Sequence, residues 1–331
     1  MKKNLFILAA AALALTACNN DELVEQNNKQ SQAKEIAFMP VAQKATRAAV
    51  DGETFPTTST MQVAAYDVTH TRDFFDATTF SYDAGTIWKG GKYWPLSATY
   101  INFLAYANFE GTSATWGTTH KASGVTLVMT DNKTAQKDLM YAIGNGEVTE
   151  SGNTLTFPTN VPMVFKHAQA WISFNADAYD ATSGGKVTLN SITLNGAKYN
   201  GTYTITHTNY NSTSGQSVAG AWSALGSTAD VAVPNWTPVA IAYDDSGNGV
   251  AVGDGLLIVP DDNSGTGDFT SFTINYSLDG NEYEKTITPA TTNVDQAKHY
   301  IYNIEFHLHE ILISATVTDW VDQTPVDVPV F

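Results

Sequence analysis

Apolar residues in this chain recur mostly at every second position, in short runs broken by clusters of Gly, Asn, Asp and Ser. That period belongs to strands with one buried face, and no helical period persists beyond about three turns. The clearest strands are MQVAAYDV (61–68), YINFLAYANF (100–109), GVTLVMT (124–130), KVTLNSITLNG (186–196), TYTITHT (202–208), GLLIVP (255–260) and FTSFTINYSL (269–278). In KVTLNSITLNG the apolar phase changes between Leu189 and Ile192, which predicts a bulge or bend at Asn190–Ser191. The closing stretch carries Tyr300, Tyr302, Ile304, Phe306 and Leu308 in one phase and Ile311, Ile313, Ala315 and Val317 in the other. The chain must therefore bulge or turn at His309–Glu310. DNKTAQKDLMYA (131–142), with Asp131 or Thr134 as cap, is the best candidate for a short helix or helical turn. Short strands of this kind with such turns predict an all-β protein built from sandwiches.

The amino terminus breaks the pattern. MKKNLFILAAAALALTAC has two lysines, an apolar stretch too short to span a bilayer, and small residues before Cys18. It predicts a signal peptide over 1–17 with the form of a bacterial lipobox, so that Cys18 becomes a lipidated first residue anchored by several acyl chains. Residues 18–34 are polar and aperiodic, which predicts a tether. EIAFMPV then offers Ile36, Phe38, Met39 and Val41 as a first strand over 35–41. The loop 42–54 that follows is polar and small, and it holds Arg47, one of only two arginines in the chain, followed by Ala48.

Length and charge narrow the function. A chain of 331 residues predicts two domains, here 35–162 and 163–320 with the boundary near Pro162, followed by a segment 321–331. In that last segment Val326, Val328 and Val330 share one face, while Pro325 and Pro329 confine it to an edge, so it reads as an edge or donor strand. A formal charge of −16 argues against a nucleic-acid partner.

Little in the sequence points to catalysis. There is no nucleophile elbow, phosphate loop or dinucleotide fingerprint, so no enzyme and no cofactor is expected. His307 and His309 lie in phase with Asn303 and Glu305, a spacing that could hold a metal but that alternation alone also produces on a solvent face. The oxygen-rich loops 244–249 and 260–268 lack the twelve-residue calcium pattern and read as turns. Trp88, Trp94, Trp116, Trp222 and Trp236 lie near turns, where exposed rings would stack on sugars and buried ones would fill a core.

Three local patterns, in order, carry a resemblance: EIAFMPVAQKATRA (35–48) with YWPLSATYINFLAYAN (93–108), KDLMYA (137–142) before FKHAQAWISFN (165–175), and the closing KHYIYNIEFHLHEILISATVTDW. Together with the lipobox they resemble the fimbrillin family of Bacteroidales, the lipoprotein precursors of type V pili. The resemblance implies two transthyretin-like β-sandwich domains and an outer-membrane, surface-exposed lipoprotein that passes into a fimbrium. It implies an arginine-specific protease cutting after Arg47, removal of the first strand, and its replacement by a strand from another pilus subunit. The alternative is a surface lipoprotein that binds glycans for polysaccharide uptake and keeps its first strand and lipid.

Overall fold

A computed structural model describes residues 33–42, 55–179, 186–244, 249–261, 267–307 and 311–319. In chain order its strands are β1 (Glu35–Ala42), β2 (Thr60–Asp67), β3 (Arg72–Ala84), β4 (Ile87–Tyr93), β5 (Thr99–Ala107), β6 (Gly111–Trp116) and β7 (Gly124–Met129). Next come β8 (Met140–Ser151), β9 (Thr154–Thr156), β10 (Val161–His167), β11 (Ala170–Ala178), β12 (Val187–Ala197), β13 (Gly201–Thr208) and β14 (Ser217–Ser223). The last part supplies β15 (Ala229–Ala232), β16 (Val239–Ala240), β17 (Val250–Ile258), β18 (Ser271–Leu278), β19 (Asn281–Ile287), β20 (Lys298–Phe306) and β21 (Ile311–Asp319). The protein is all-β as its periodicity predicts, and a 3₁₀ turn at Lys121–Ser123 is the only helical element among the described residues.

The largest sheet runs β10-β1-β4-β3-β2-β5-β8-β9, and β10 also pairs with β8, so the sheet closes on itself as a barrel. Alternation sends Phe38, Phe80, Trp88, Phe103 and Phe165 into the interior, where each is at most 2% exposed. Closure depends on a glycine. A β-carbon at Gly144 in β8 would lie 2.4 Å from Met163 Sδ and 3.0 Å from the Pro162 carbonyl oxygen, so β10 can approach only a bare backbone there.

A second sheet, β14-β13-β7-β6, packs on the outside of this barrel. Val125, Leu127, Tyr203, Ile205 and Trp222 meet Tyr66, Leu104, Tyr106 and Tyr141 on the outer wall. Hydrogen bonds pin it in place: Asn102 Nδ2, fully buried, donates to the carbonyls of Tyr210 (2.7 Å) and Ser212 (2.8 Å), and Trp222 Nε1 donates to that of Ala168 (2.5 Å). The boundary expected at Pro162 falls inside β10, and β13–β14 leaves the second half of the sequence to join strands of the first.

The remaining strands form a sandwich in which β17-β11-β20-β21 faces β15-β12-β18-β19. Phe174, Phe269, Phe272 and Tyr302 fill its centre, with Phe272 and Tyr302 rings 4.7 Å apart. The predicted bulge in β12 is present, as the pairing with β18 shifts between Leu189 and Ser191. The strands on either side of the predicted phase change, β20 and β21, pair antiparallel with Phe306 opposite Ile311, while residues 308–310 lie outside the described residues.

The short helix or helical turn expected over 131–142 is a single turn, and no helix continues from it. That turn makes one helical hydrogen bond, from Gln136 N to Asn132 O, and then stops because Gln136 adopts φ of 44°. The buried Asn132 side chain closes the loop instead, accepting from Lys137 N and donating to Lys137 O, both at 2.9 Å. By Met140 the chain is already strand.

Candidate functional site

The element that distinguishes the barrel is β1. It is inserted between β4, to which it runs antiparallel, and β10, to which it runs parallel with Phe38 opposite Val161 and Ala42 opposite Phe165. The next strand in sequence, β2, lies three places away across β4 and β3, so β1 is not part of a hairpin with its successor. It is one stave of the wall, paired on both sides with strands distant in sequence.

Ile36 and Phe38 point inward and have no exposed surface; Pro40 continues that phase and is buried. The Phe38 ring makes edge-on contacts with Phe80 (4.8 Å) and Phe103 (5.0 Å) at the centre of the barrel. Met39 and Val41, expected to bury with them, lie in the opposite phase and are half-buried. Burial of the two fully enclosed side chains contributes about 3 to 6 kcal/mol as an upper bound, at about 1.5 to 3 each. At the start of the strand, Glu35 Oε1 accepts a hydrogen bond of 2.9 Å from Gly91 N, and Lys89 Nζ lies 3.9 Å from the same carboxylate. Gly91 holds φ of 67°, a conformation few side chains tolerate, and it lies beside the register shift between Glu35 and Ala37.

The far end of the loop after β1 returns to the same interior. Phe55 is 2% exposed and packs on Phe165 (4.9 Å) and Trp88 (5.6 Å). The barrel therefore holds both flanks of the segment that carries Arg47 and Ala48. Those two residues, like Cys18, His309, Val326, Val328 and Val330, lie outside the described residues.

The other candidates resolve into structural roles. His307 stacks on Tyr179 (4.1 Å) and lies 3.6 Å from Glu305, and no group of three potential metal ligands occurs among the described residues. In the oxygen-rich loops the carboxylates serve the fold. Asp268 accepts from Asp261 N (2.6 Å) and Val294 N (2.7 Å), Asp261 pairs with Lys198 Nζ (2.6 Å), and Asp177 accepts from Asp244 N (2.8 Å). Burial pushes the carboxyls of Asp268 and Asp177 up. Trp88, Trp94 and Trp222 are buried, and Trp116 and Trp236 are half-buried against the cores, so these rings form no exposed stacking platform.

Sequence reasoning missed a buried polar pair beside the seam. His167 Nδ1 lies 2.9 Å from the Asp138 carboxylate, with both side chains almost fully enclosed, and the Gln169 side-chain oxygen accepts from Leu139 N (3.0 Å). The signal was present: His167 and Gln169 continue the inward phase of Val161, Met163 and Phe165. A polar residue in an apolar phase marks a partner across the sheet.

The fold is thus an all-β body whose closed barrel wall includes a strand inserted between β4 and β10. The sequence matches the family described as fimbrillin-like over residues 46–320, and the chain belongs to that family. The match begins beyond β1. The fold is similar to that of a fimbrial protein from Bacteroides vulgatus, with 13% identity, a TM-score of 0.52, and coverage of 86% of this chain and 99% of that one. The tip fimbrial protein Mfa3 from Porphyromonas gingivalis aligns with 13% identity and a TM-score of 0.43, over 87% of this chain and 100% of that one. No curated protein matches the chain.

Proposed function

We propose that this chain is a non-enzymatic structural subunit of a cell-surface fimbria, exported as an outer-membrane lipoprotein precursor and linked to its neighbours by strand exchange. The observation that carries the reading is the position of β1 as a stave with no hairpin partner in sequence. Cutting after Arg47 would leave β1 attached only by hydrogen bonds to β4 and β10 and by the burial of Ile36, Phe38 and Pro40. Its departure would open a slot one strand wide, with about 10 Å between the edges of β4 and β10. Both edges would then present unpaired backbone groups above an apolar interior, which another extended segment can satisfy.

The segment 321–331 of a neighbouring copy or related subunit supplies the donor in this reading. Val326, Val328 and Val330 repeat the period of Ile36, Phe38 and Pro40. The cut also detaches the anchor. Residues 1–47 hold Cys18 with six basic and four acidic residues, so the released subunit is more negative by two, at −18 against −16.

The test is Arg47→Ala in cells that make the fimbria. The expected result is full-length, acylated protein on the membrane and loss of high-mass, detergent-resistant polymer, whereas wild-type polymer starts at Ala48. Polymer formed unchanged by the variant would overturn the reading.

A further inference from the structure

The outer sheet has one face against the barrel and one face that no described residue covers. Its outward positions include Thr204, Thr206 and Thr208 on β13, Ala219 and Ala221 on β14, and Val128 on β7, all exposed. They form level rows: Ala221, Thr204, Thr126 and Thr115 lie side by side across four strands, and Ser223, Thr202, Val128 and Ser113 form the next row. None of these side chains is charged. Residues 199–229 contain no Asp, Glu, Lys or Arg, in a chain that has 50 such residues among 331.

We propose that this face is a self-association surface that takes the same face of a second copy of this chain. Charge selects the occupant. Two copies at −16 repel wherever their acidic surfaces meet, whereas a charge-free face can approach its own image at little Coulomb cost. A partner with a basic or acidic face would find nothing here to pair with. Short side chains also suit the geometry, since Thr, Ser and Ala let two flat sheets approach to about 10 Å and exchange hydroxyl hydrogen bonds.

The size sets the strength. Four strands spaced about 4.8 Å apart, each about seven residues long, give a face of roughly 440 Å² per partner, below the roughly 800 Å² of a stable complex. A single contact is therefore weak. If the subunits are polymerised as proposed above, the same contact repeated along two fibres becomes a lateral seam through avidity.

Sedimentation velocity on the purified full chain, between about 10 µM and 1 mM, tests the surface without any strand exchange, so it is independent of the fimbrial reading. The expected result is concentration-dependent dimerisation that weakens at least tenfold in Thr204→Glu and is unchanged in Ser151→Glu, which adds the same charge off this face. Circular dichroism confirms that each variant is folded; if Thr204→Glu is not, Ala221→Glu replaces it. An equimolar mixture of Thr204→Glu with Thr204→Lys should associate more tightly than either alone. A monomer at every concentration, or dimerisation that ignores the charge at position 204, overturns the proposal. So does a chain that stays monomeric and is instead retained on a neutral polysaccharide.

Discussion

The barrel and the C-terminal sandwich are built from strands of similar length and alternation, yet they treat their edges differently. The sandwich leaves β17 and β21 at one sheet's edges, and the inward row on β21, Ile311, Ile313 and Ala315, is only half-buried. The barrel has closed its large sheet, and the strand that closes it buries Ile36 and Phe38 completely. Loss of an edge strand thins a sandwich, whereas loss of a stave exposes the interior of a barrel. The stave that matters most to the barrel interior is thus also one with no hairpin partner next to it in sequence.

The difference is sharpest at Phe38. Phe38→Ala removes a ring packed on Phe80 and Phe103, and should cost about 3 to 5 kcal/mol in urea denaturation. Val317→Ala, on the half-exposed β21, should change stability by less than about 0.5 kcal/mol. Equal effects at the two sites would remove the distinction between stave and edge.

Acid should weaken both regions, through one buried histidine in each. His207, on the sheet outside the barrel, and His299, stacked on Trp171 in the sandwich, are both held down to about 4, mainly by burial. Their folded-state values lie below the ordinary 6.5, so the unfolded chain binds protons first as pH falls. The stability tied to each neutral imidazole is fully present above about pH 6.5 and is lost progressively between pH 6.5 and 4, at most about 3 kcal/mol per site. His299→Gln should flatten this loss for the sandwich and leave that of the barrel, read as a reduced slope of unfolding free energy against pH. Asp177 and Asp268, raised by burial, titrate in the opposite sense and favour the folded state as they protonate.

The smallest effect is expected at the rim of the stave. Glu35→Ala removes an accepted hydrogen bond and a distant ion pair at a partly exposed position, and should cost about 0.5 to 1 kcal/mol by denaturation. A loss as large as that of Phe38→Ala would place the closing energy at the end of β1 instead of its middle.

The strands of this fold were legible wherever alternation was clean, as in β13, where Tyr203, Ile205 and His207 turn inward while Thr204, Thr206 and Thr208 face out. They were less legible in β1, because IAFMPV is apolar in both phases and assigned Met39 and Val41 the same role as Phe38. The short helix or helical turn expected at 131–142 stops after one turn for a similarly local reason, since the buried Asn132 side chain supplies the bonds a longer helical backbone would have made. Barrel closure was not legible at all. The pairing of β1 with β10 joins residues more than 100 positions apart, and that of β13 with β7 joins residues more than 70 apart. Such contacts leave no periodic trace. For the site, composition singled out Arg47 and the apolar pattern a first strand, and the structure shows that strand buried between β4 and β10.

The central claim is that β1 occupies a slot another strand can fill. The direct measurement is native mass spectrometry of the precursor cut with an arginine-specific protease, in the presence of excess synthetic peptide of residues 321–331. The account predicts loss of the 1–47 fragment and uptake of one peptide by a body that stays folded. Retention of the fragment with no peptide bound, or its loss from a folded body that takes up none, would contradict it.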